Sequence, residues 1–469
     1  MQTLDNGPAA QRPEALTSVA VLGGGLAGMA AAWRLVNAGY RVTLVERRPY
    51  LGGRAYSFVD RETGQEIDNG QHVFLGCCDA YRRFLDEIGS LELTSRQKRL
   101  HVEVRAPSGA RGILSGLPLP APFHLLPSLL RYPHVSIGER LRAIPALLLM
   151  WLERKRDRPA LRRQSFHHWL RSHWQSERAI DAFWNLLIIP ALNDSAEEVS
   201  ASAGFMLFQE ALLRDRNGGN IGFAQAGLSA IMGDAVRERL TGAGADVLLD
   251  RTADALVVED GRVTGVRFTD GETLPVDACV SALPPDVLLR LLPEEVREHP
   301  AFAPAATHTW SPIVNLHVWY DRQIAEFEFL AFVDSPVQWV FNRTAIAGLE
   351  GPGQYITVSL SGAWEFWPMS KEALREKFIP ELARLFPAAK DAEITRFVIV
   401  KEQRATFRSL PDAADNRLPS ATPLPNLFLA GDWTDTGWPA TMESAVRSGN
   451  IAAEAVGRNA DVRDSSMSC

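Results

Sequence analysis

Residues 18–54 read SVAVLGGGLAGMAAAWRLVNAGYRVTLVERRPYLGGR, and this stretch decides the fold. It begins with a short apolar run, Val19–Leu22, passes through a glycine-rich turn, and continues as an alanine-rich helical pattern that ends at Gly39. A second strand-like run follows and ends at Glu46. The order of strand, glycine turn, helix and strand is typical of the unit that binds dinucleotides. The stretch therefore predicts a parallel α/β sheet with a nucleotide site at the turn.

Each glycine of the turn has its own expected role. Gly23 permits the tight turn, Gly25 lets the backbone approach a pyrophosphate, and Gly28 lets the helix pack closely on the strand. The pyrophosphate is expected on the free N–H groups at the positive end of the helix dipole. Glu46 lies 18 positions after Gly28 and is expected to accept hydrogen bonds from an adenosine ribose. A glycine turn that binds no ligand is the alternative interpretation.

The residues after Glu46 distinguish FAD from NAD. Arg48 is followed at 51–54 by L-G-G-R, a second glycine pair and an arginine that NAD sites do not need. This pattern resembles the amine oxidase and carotenoid desaturase superfamily of flavoproteins, whose extended fingerprint carries G-G-R. The resemblance implies that Arg54 approaches the flavin side of the FAD pyrophosphate, where a bidentate guanidinium suits a diphosphate.

A second fingerprint closes the chain at 426–456, NLFLAGDWTDTGWPATMESAVRSGNIAAEAV. Asp432 resembles the superfamily's aspartate that meets the ribityl and phosphate region. A helix is expected to begin near Thr441 and to face the flavin pyrimidine, where its dipole stabilises negative charge on the reduced ring. Two distant fingerprints thus indicate the same cofactor, FAD.

Between these fingerprints, Asn69-Gly70-Gln71-His72 matches the superfamily segment that passes beside the isoalloxazine ring. Gly70 is interpreted as a position of close backbone approach. His72 is either a proton donor near the flavin or a hydrogen-bonded structural histidine. The resemblance also implies that the main chain of Ala253 contacts adenine. The full set of FAD-binding residues that it implies is Gly23, Gly25, Leu26, Ala27, Gly28, Glu46, Arg47, Arg48, Gly53, Arg54, Gly70, Gln71, His72, Ala253, Gly431, Asp432, Thr441 and Met442.

Composition limits the remaining function classes. The chain has 469 residues, of which 46% are hydrophobic and 22% charged, as in ordinary soluble proteins. A net charge of −7 does not favour nucleic acid. The four cysteines lack metal-ligand spacing, and adjacent Cys77 and Cys78 make a poor disulfide, so we expect no metal and reduced thiols in a cytoplasmic protein.

The length predicts two interleaved domains. We expect an α/β fold in which a Rossmann-like FAD-binding domain, of the glutathione-reductase or amine-oxidase type, alternates with an α+β substrate domain. The predicted segments are an unstructured N-terminus at 1–16, the FAD-binding domain at 17–96, 217–289 and 401–457, the substrate domain at 97–216 and 290–400, and an unstructured tail at 458–469.

The substrate domain carries a basic, apolar region. Residues 112–130 are apolar but contain four prolines, which argues against a transmembrane helix. Over 131–163 there are nine Arg or Lys residues against three acids. Apolar surface flanked by cations fits docking onto an anionic membrane leaflet, which predicts a peripheral protein on the inner face of the cell membrane. A solvated basic helix is the alternative.

Helical patterns occur at 165–219, and those around 183–192 are apolar on more than one face, so these helices are expected either to be buried in the core or to line an apolar cavity. In this superfamily the chain looks most similar to the hydroxysqualene dehydroxylases of squalene and hopanoid biosynthesis. The resemblance implies reduction of hydroxysqualene to squalene and water by reduced FAD, with an unidentified electron donor and possible association with other squalene-pathway enzymes. His72, Asp194 and Glu210 are the candidates for the general acid, and His72 is the preferred one. A carotenoid-type desaturase, with opposite hydride transfer, and a non-enzymatic isoprenoid carrier are the alternatives.

Overall fold

The computed structural model describes residues 18–154 and 158–467, with side chains up to residue 459. The described strands, in chain order, are β1 Ser18–Leu22, β2 Arg41–Val45, β3 Ser57–Val59, β4 Glu66–Asp68, β5 Val73–Leu75, β6 Thr94–Arg96, β7 His101–Arg105, β8 Arg111–Ser115, β9 Ile221–Ala224, β10 Asp246–Leu248, β11 Ala253–Glu259, β12 Arg262–Phe268, β13 Thr273–Pro275, β14 Ala278–Ser281, β15 Trp310–Tyr320, β16 Phe329–Phe332, β17 Trp339–Asn342, β18 Gln354–Leu360, β19 Ile394–Phe407 and β20 Leu427–Leu429.

The described α-helices are α1 Leu26–Asn37, α2 Asp79–Glu87, α3 Leu126–Leu130, α4 Ile137–Leu152, α5 Pro159–Arg162, α6 Phe166–Ser172, α7 Glu177–Ala179, α8 Asn185–Leu192, α9 Ala201–Phe208, α10 Ala235–Gly242, α11 Pro285–Leu291, α12 Glu294–Arg297, α13 Arg343–Ala347, α14 Lys371–Leu385 and α15 Met442–Met467. Segments of π-helix occupy Ile180–Trp184, Gln209–Leu213 and Ser229–Asp234. Short 3₁₀ turns occupy Leu91–Leu93, Phe123–Leu125, Pro300–Thr307, Pro387–Lys390 and Ala413–Asn416.

The predicted parallel sheet is present, with strand order β10-β2-β1-β14-β20. Its central strand is buried over Val19–Leu22, because helices cover one face and the β11–β13 sheet with α11 covers the other. On the helical face α15 packs closely on α1: a Cβ on Gly449 would lie 2.3 Å from the Ala27 carbonyl oxygen. The sheet therefore joins the two ends of the chain, as the interleaved-domain prediction requires.

The second part is built on a seven-stranded sheet, ordered β19-β15-β18-β17-β16-β7-β8 and antiparallel except for the β16–β7 pair. Side chains of β15 alternate between its faces: Val314 and Leu316 pack against α14, whereas Asn315 lies on the other face. Helices α3, α4, α6, α8 and α9 cover β7, β16 and β17. This arrangement of a sheet covered by helices agrees with the α+β substrate domain that the sequence predicts.

Two predicted boundaries differ from the structure. The boundary between 400 and 401 falls inside β19, which pairs with β15 along Ile394–Phe407 and so carries chain from one domain into the other. The tail predicted to be unstructured from 458 instead continues α15 to Met467, in a segment that contains neither proline nor glycine to end the helix. The N-terminal prediction for 1–16 lies outside the described residues.

No helix in the described part of the chain combines the length and the hydropathy needed to cross a bilayer.

Candidate functional site

One cavity of about 1270 Å³ connects the two parts of the molecule. It begins at the carboxyl ends of β1 and β2, the edge where ligands bind to parallel sheets, and extends among the helices of the second part. Every predicted FAD-binding residue except Gly28 lies on its wall. Pockets for one small ligand measure roughly 300–1000 Å³. The cavity therefore has room for a cofactor and a substrate together.

The glycine turn before α1 has the geometry of an anion site. Gly23 has φ +103°, and α1 starts after Gly25 with no side-chain cap and no acidic residue in its first turn. The first N–H groups of a helix have no partner within the helix, and Leu26 and Ala27 line the cavity. A Cβ on Gly25 would meet the Cα of Gly53 only at 3.8 Å, so the space above the helix end is open. The turn therefore fits a pyrophosphate.

Gly28 has the predicted packing role but does not reach the cavity. A Cβ there would lie 1.9 Å from the Gly23 carbonyl oxygen and 3.2 Å from the Cβ of Ala282. Gly28 thus brings α1 onto the sheet. The sequence-based prediction counted Gly28 among the FAD-binding residues, and the structure corrects this because Gly28 does not line the cavity.

The carboxylate of Glu46 is held at the end of β2. It accepts hydrogen bonds from the N–H of Gly24 at 2.7 Å and the N–H of Arg48 at 2.9 Å. The residue is buried and lines the cavity. Since a carboxylate has about four lone-pair sites, acceptor capacity is left for ribose hydroxyls.

Arg54 and Asp432, predicted for different parts of the cofactor, contact each other. Arg54 Nη2 donates to Asp432 Oδ1 at 2.5 Å, and Nη1 donates to the carbonyl of Ala405 at 2.8 Å. The Arg54 guanidinium also lies over the ring of Trp310, 5.6 Å from its centroid. The backbone carbonyl of Asp432 accepts from Arg417 Nη2 at 2.7 Å. The sequence interpretation missed Trp310 and Arg417, which no motif identifies.

The N-terminus of α15, predicted to face the flavin pyrimidine, lies on the cavity wall. Thr441 and Met442 are on the wall, and Thr441 Oγ1 accepts from the N–H of Ser444 at 3.1 Å. The fully buried carboxylate of Glu443 accepts from the N–H groups of Ala80 and Tyr81 and from Arg447. One charged side chain thus caps α2 and fixes α2 against the start of α15.

The segment 69–72 forms a wall of the cavity between β4 and β5. A Cβ on Gly70 would lie 2.5 Å from Nδ2 of Asn315, so the predicted close approach at Gly70 is to β15. His72 Nδ1 donates to the carbonyl of Gly70 at 3.0 Å, because a carbonyl can only accept. Burial lowers the pKa of His72, against the opposing effect of that hydrogen bond. The neutral ring then offers an acceptor at Nε2, which is the wrong form for a proton donor.

The far arm of the cavity is apolar. Representative wall residues from sheet and helices are Leu114, Leu129, Leu147, Phe183, Met206 and Trp339. Among the described residues of 97–216 and 310–361, Glu210 is the only charged side chain on the wall. It lies in the π-helical segment Gln209–Leu213 and forms an ion pair with Arg214 at 2.6 Å. Such π-helical turns often occur at functional sites.

Glu210 lies close to the segment that follows His72. A Cβ on Gly218 would be 2.5 Å from the Glu210 carbonyl oxygen, and the carbonyl of Gly218 accepts from the N–H of Cys77 at 2.9 Å. The main chain of Glu210 is therefore near the segment that follows β5, at the edge of the apolar arm.

Asp194, the third acid candidate, is a structural residue. It is 2% exposed, accepts from Arg408 Nε at 2.7 Å and from Trp364 Nε1 at 3.1 Å, and does not line the cavity. Asp194 is a candidate only because it lies near a family motif in the sequence. The left-handed backbone turn at Asn193 directs the chain at Asp194 away from the cavity.

Comparison with known proteins identifies the family. The pattern of the flavin containing amine oxidoreductases matches residues 26–457. The chain belongs to this family.

Two relatives match this chain over nearly its whole length. A hydroxysqualene dehydroxylase of Rhodopseudomonas palustris is 30% identical over 446 residues, covering 94% of this chain and 98% of the relative. A 15-cis-phytoene desaturase of Synechococcus elongatus is 27% identical over 457 residues, covering 93% and 95%. The crystal structure of an oxidoreductase from Methanosarcina mazei aligns with a TM-score of 0.71 at 20% identity, covering 93% of this chain and 100% of that one, which shows the shared fold.

As a flavin containing amine oxidoreductase, the protein is an FAD-dependent oxidoreductase. The uncapped α1 terminus, the open space at Gly25 and the Glu46 carboxylate fit the pyrophosphate and the ribose of FAD. Ala253 lines the same end of the cavity, where main-chain contact with adenine is predicted.

We expect Glu46→Ala to weaken FAD binding, since the ribose loses a charge-assisted hydrogen bond of about 1.5–3 kcal/mol. The measurement is the Kd of the apoprotein for FAD, followed by quenching of flavin fluorescence. Thermal unfolding of the apoprotein separates this loss from any effect of freeing the N–H of Gly24. Full flavin occupancy of the purified variant would refute the placement of Glu46 on the ribose.

Proposed function

We propose that this oxidoreductase reduces hydroxysqualene to squalene and water. The observation that carries the proposal is an apolar arm, continuous with the FAD site, whose described wall contains one carboxylate, Glu210. The full-length relationship to a hydroxysqualene dehydroxylase at 30% identity supports the same substrate class. An apolar C–C chain fits such walls, and a single acid fits a single leaving hydroxyl.

When bound, reduced FAD would supply the hydride for the allylic cation that forms as the hydroxyl leaves. The apolar walls of the arm exclude water, so that water does not capture the cation. Glu210 donates the proton with which the hydroxyl leaves as water. Arg214, with 46% of its side chain exposed, connects the Glu210 carboxylate to solvent.

A 15-cis-phytoene desaturase is the second candidate, favoured by the 27% identity to such an enzyme over nearly the full chain. In desaturation the hydride moves from the polyene to oxidised FAD, and no hydroxyl leaves. The carbon skeleton must also lose a proton to a base, a role that the Glu210 carboxylate can fill, so Glu210 fits both reactions as acid or as base and does not by itself separate them.

The deciding experiment is anaerobic. The purified protein is reduced with dithionite, freed from excess reductant and mixed with hydroxysqualene, while flavin absorbance is followed and the extract is analysed for squalene. We expect stoichiometric reoxidation with squalene formed, which would leave the physiological electron donor as the next partner to identify. No reoxidation, together with bleaching of the oxidised protein by phytoene, would establish the desaturase instead.

We further propose that the arm opens onto an anionic leaflet of the membrane, on the cytoplasmic side. One face of α4 lines the cavity with Ile144 and Leu147, while the same helix exposes Ile137, Leu141 and Leu152 by 70%, 54% and 64%. Basic residues accompany this surface at Arg131, Arg140, Arg142 and Arg154, and the basic run continues at 155–156, outside the described residues. An apolar surface with cations at the mouth of an apolar tunnel suits uptake of a lipid-soluble substrate.

Replacing Ile137, Leu141 and Leu152 with Ser is expected to abolish most binding to vesicles of phosphatidylglycerol and phosphatidylethanolamine, because each buried side chain contributes about 1.5–3 kcal/mol. Changing Arg154, Lys155 and Arg156 to Gln should weaken binding to the anionic vesicles alone, by about 1 kcal/mol per charge. Co-sedimentation measures both.

The matched control for the membrane experiment is Val59→Ser, since Val59 is 63% exposed but lies in the β3–β4 hairpin. If all variants bind like the wild type, α4 is a solvated helix and the membrane proposal is wrong.

A further inference from the structure

The buried guanidinium of Arg343 contacts three places at the 69–72 wall: the residue before the wall, one residue within it, and the strand β9, which pairs with the strand after it. Its Nη2 donates at 3.2 Å to Oδ2 of Asp68, directly before the wall. Its Nη1 donates to Oε1 of Gln71 at 3.2 Å and to the carbonyl of Ala224 at 3.3 Å. Ala224 belongs to β9, which pairs with β5, the strand directly after the wall. Arg343 is the first residue of α13 and comes from the other domain.

The partner of this cation is equally well fixed. Asp68 Oδ1 accepts from Ser57 Oγ at 2.8 Å and from the N–H of Leu228 at 2.9 Å. The side chains of Asp68 and Arg343 are 7% and 9% exposed. Buried ion pairs are often no more stabilising than apolar residues of the same volume, because both charges lose their hydration. A buried pair is therefore better explained by the geometry that it imposes than by its stability.

That geometry includes a side chain of the cavity wall. Both ends of the Gln71 amide are fixed: Oε1 accepts from Arg343, and Nε2 donates to the carbonyl of His72 at 3.2 Å. From the other direction, Asn315 Nδ2 donates to the carbonyl of Asn69 at 3.4 Å. The wall beside the predicted flavin position is thus clamped between two side chains of the second domain.

We propose that Arg343 is a positioning residue of the FAD site, which holds the Gln71 amide and the 69–72 backbone in place for the flavin ring. It acts through Gln71 and the wall. The inference depends on FAD as cofactor and not on which isoprenoid the enzyme converts.

The test separates positioning from charge balance. Arg343→Gln leaves Asp68 buried and unpaired, so it should lose both thermal stability and FAD affinity. The charge-balanced double variant Asp68→Asn/Arg343→Gln should recover most of the thermal stability, yet still bind FAD about tenfold or more weakly. The readouts are Tm of the apoprotein, Kd for FAD and the reduction potential of the bound flavin. Arg343→Lys, which keeps the charge, should recover FAD affinity only in part.

Two further variants sharpen the result. Gln71→Ala should weaken FAD binding similarly. In a protein that already carries Gln71→Ala, adding the charge-balanced pair Asp68→Asn/Arg343→Gln should change FAD affinity little more. The matched control is Arg408→Gln, which breaks the buried pair with Asp194 away from the cavity. It should lower Tm and leave Kd and potential unchanged.

Recovery of wild-type Kd and potential in Asp68→Asn/Arg343→Gln would overturn the proposal and leave Arg343 as a charge partner only. If Arg343→Gln does not fold, the double variant and Arg343→Lys carry the test unchanged.

Discussion

A Gly28→Ala variant is expected to purify without flavin and with a markedly lower Tm. The added Cβ would lie 1.9 Å from the Gly23 carbonyl oxygen, and this neighbour is backbone that cannot rotate away. Relief requires α1 to move off β1, which opens the core between them and shifts the N–H groups that meet the pyrophosphate. Overpacking commonly costs about 1–3 kcal/mol, and a contact this short against main chain belongs at or above the upper end. Differential scanning calorimetry of the apoprotein measures the loss directly.

Two other glycines provide contrasting controls. Gly25→Ala meets nothing closer than 3.8 Å in the protein, so it should keep the Tm of the apoprotein while its methyl group occupies the space of the pyrophosphate and lowers FAD affinity. Gly242→Ala at the end of α10 meets nothing within 4 Å and should change neither property. A yellow Gly28→Ala protein with wild-type Tm would show that α1 is not packed as described.

The second large effect is expected at Glu210. Glu210→Gln keeps the shape of the side chain but cannot supply an acidic proton, and loss of a general acid typically costs about 10²–10⁴-fold in rate. Single-turnover formation of squalene by the reduced protein should fall by that factor, while Kd for FAD stays unchanged because the residue is in the apolar arm.

The control variants for Glu210 change its ion-pair partner and another buried carboxylate. Arg214→Gln removes the ion-pair partner and keeps the carboxylate, so its effect should stay below about tenfold. Asp194→Asn should reduce stability through Arg408 and leave the chemical step intact. A Glu210→Gln rate within threefold of wild type would exclude the residue as the acid. Absence of squalene from the wild type itself would instead reject the dehydroxylase proposal.

The parts that the sequence predicts are those with local causes. The glycine turn, the acid that ends β2 and the helix after Thr441 each follow from a short pattern whose geometry is set within a few residues. Arg343 and Asn315 act across domains, Glu443 acts on a helix that is distant in the chain, and nothing in their own neighbourhoods marks them. Asp194 shows the converse: nearness to a motif along the chain did not place it in the site, because Arg408 binds it elsewhere.

The interleaving of the parallel sheet determines the order of events during synthesis. The strand and helix that carry the glycine turn are translated first, but β20 extends their sheet and α15 covers α1 only after the last segment leaves the ribosome. At about 5–20 residues per second, the turn waits on the order of tens of seconds with the alanine-rich face of α1 uncovered. We therefore expect flavin loading to follow translation of β20 and α15. A nascent or truncated chain that lacks β20 and α15 carries the complete glycine fingerprint but has no site in which to hold the cofactor. Because the apolar face of α1 is uncovered in such a chain, we expect it to depend on chaperones.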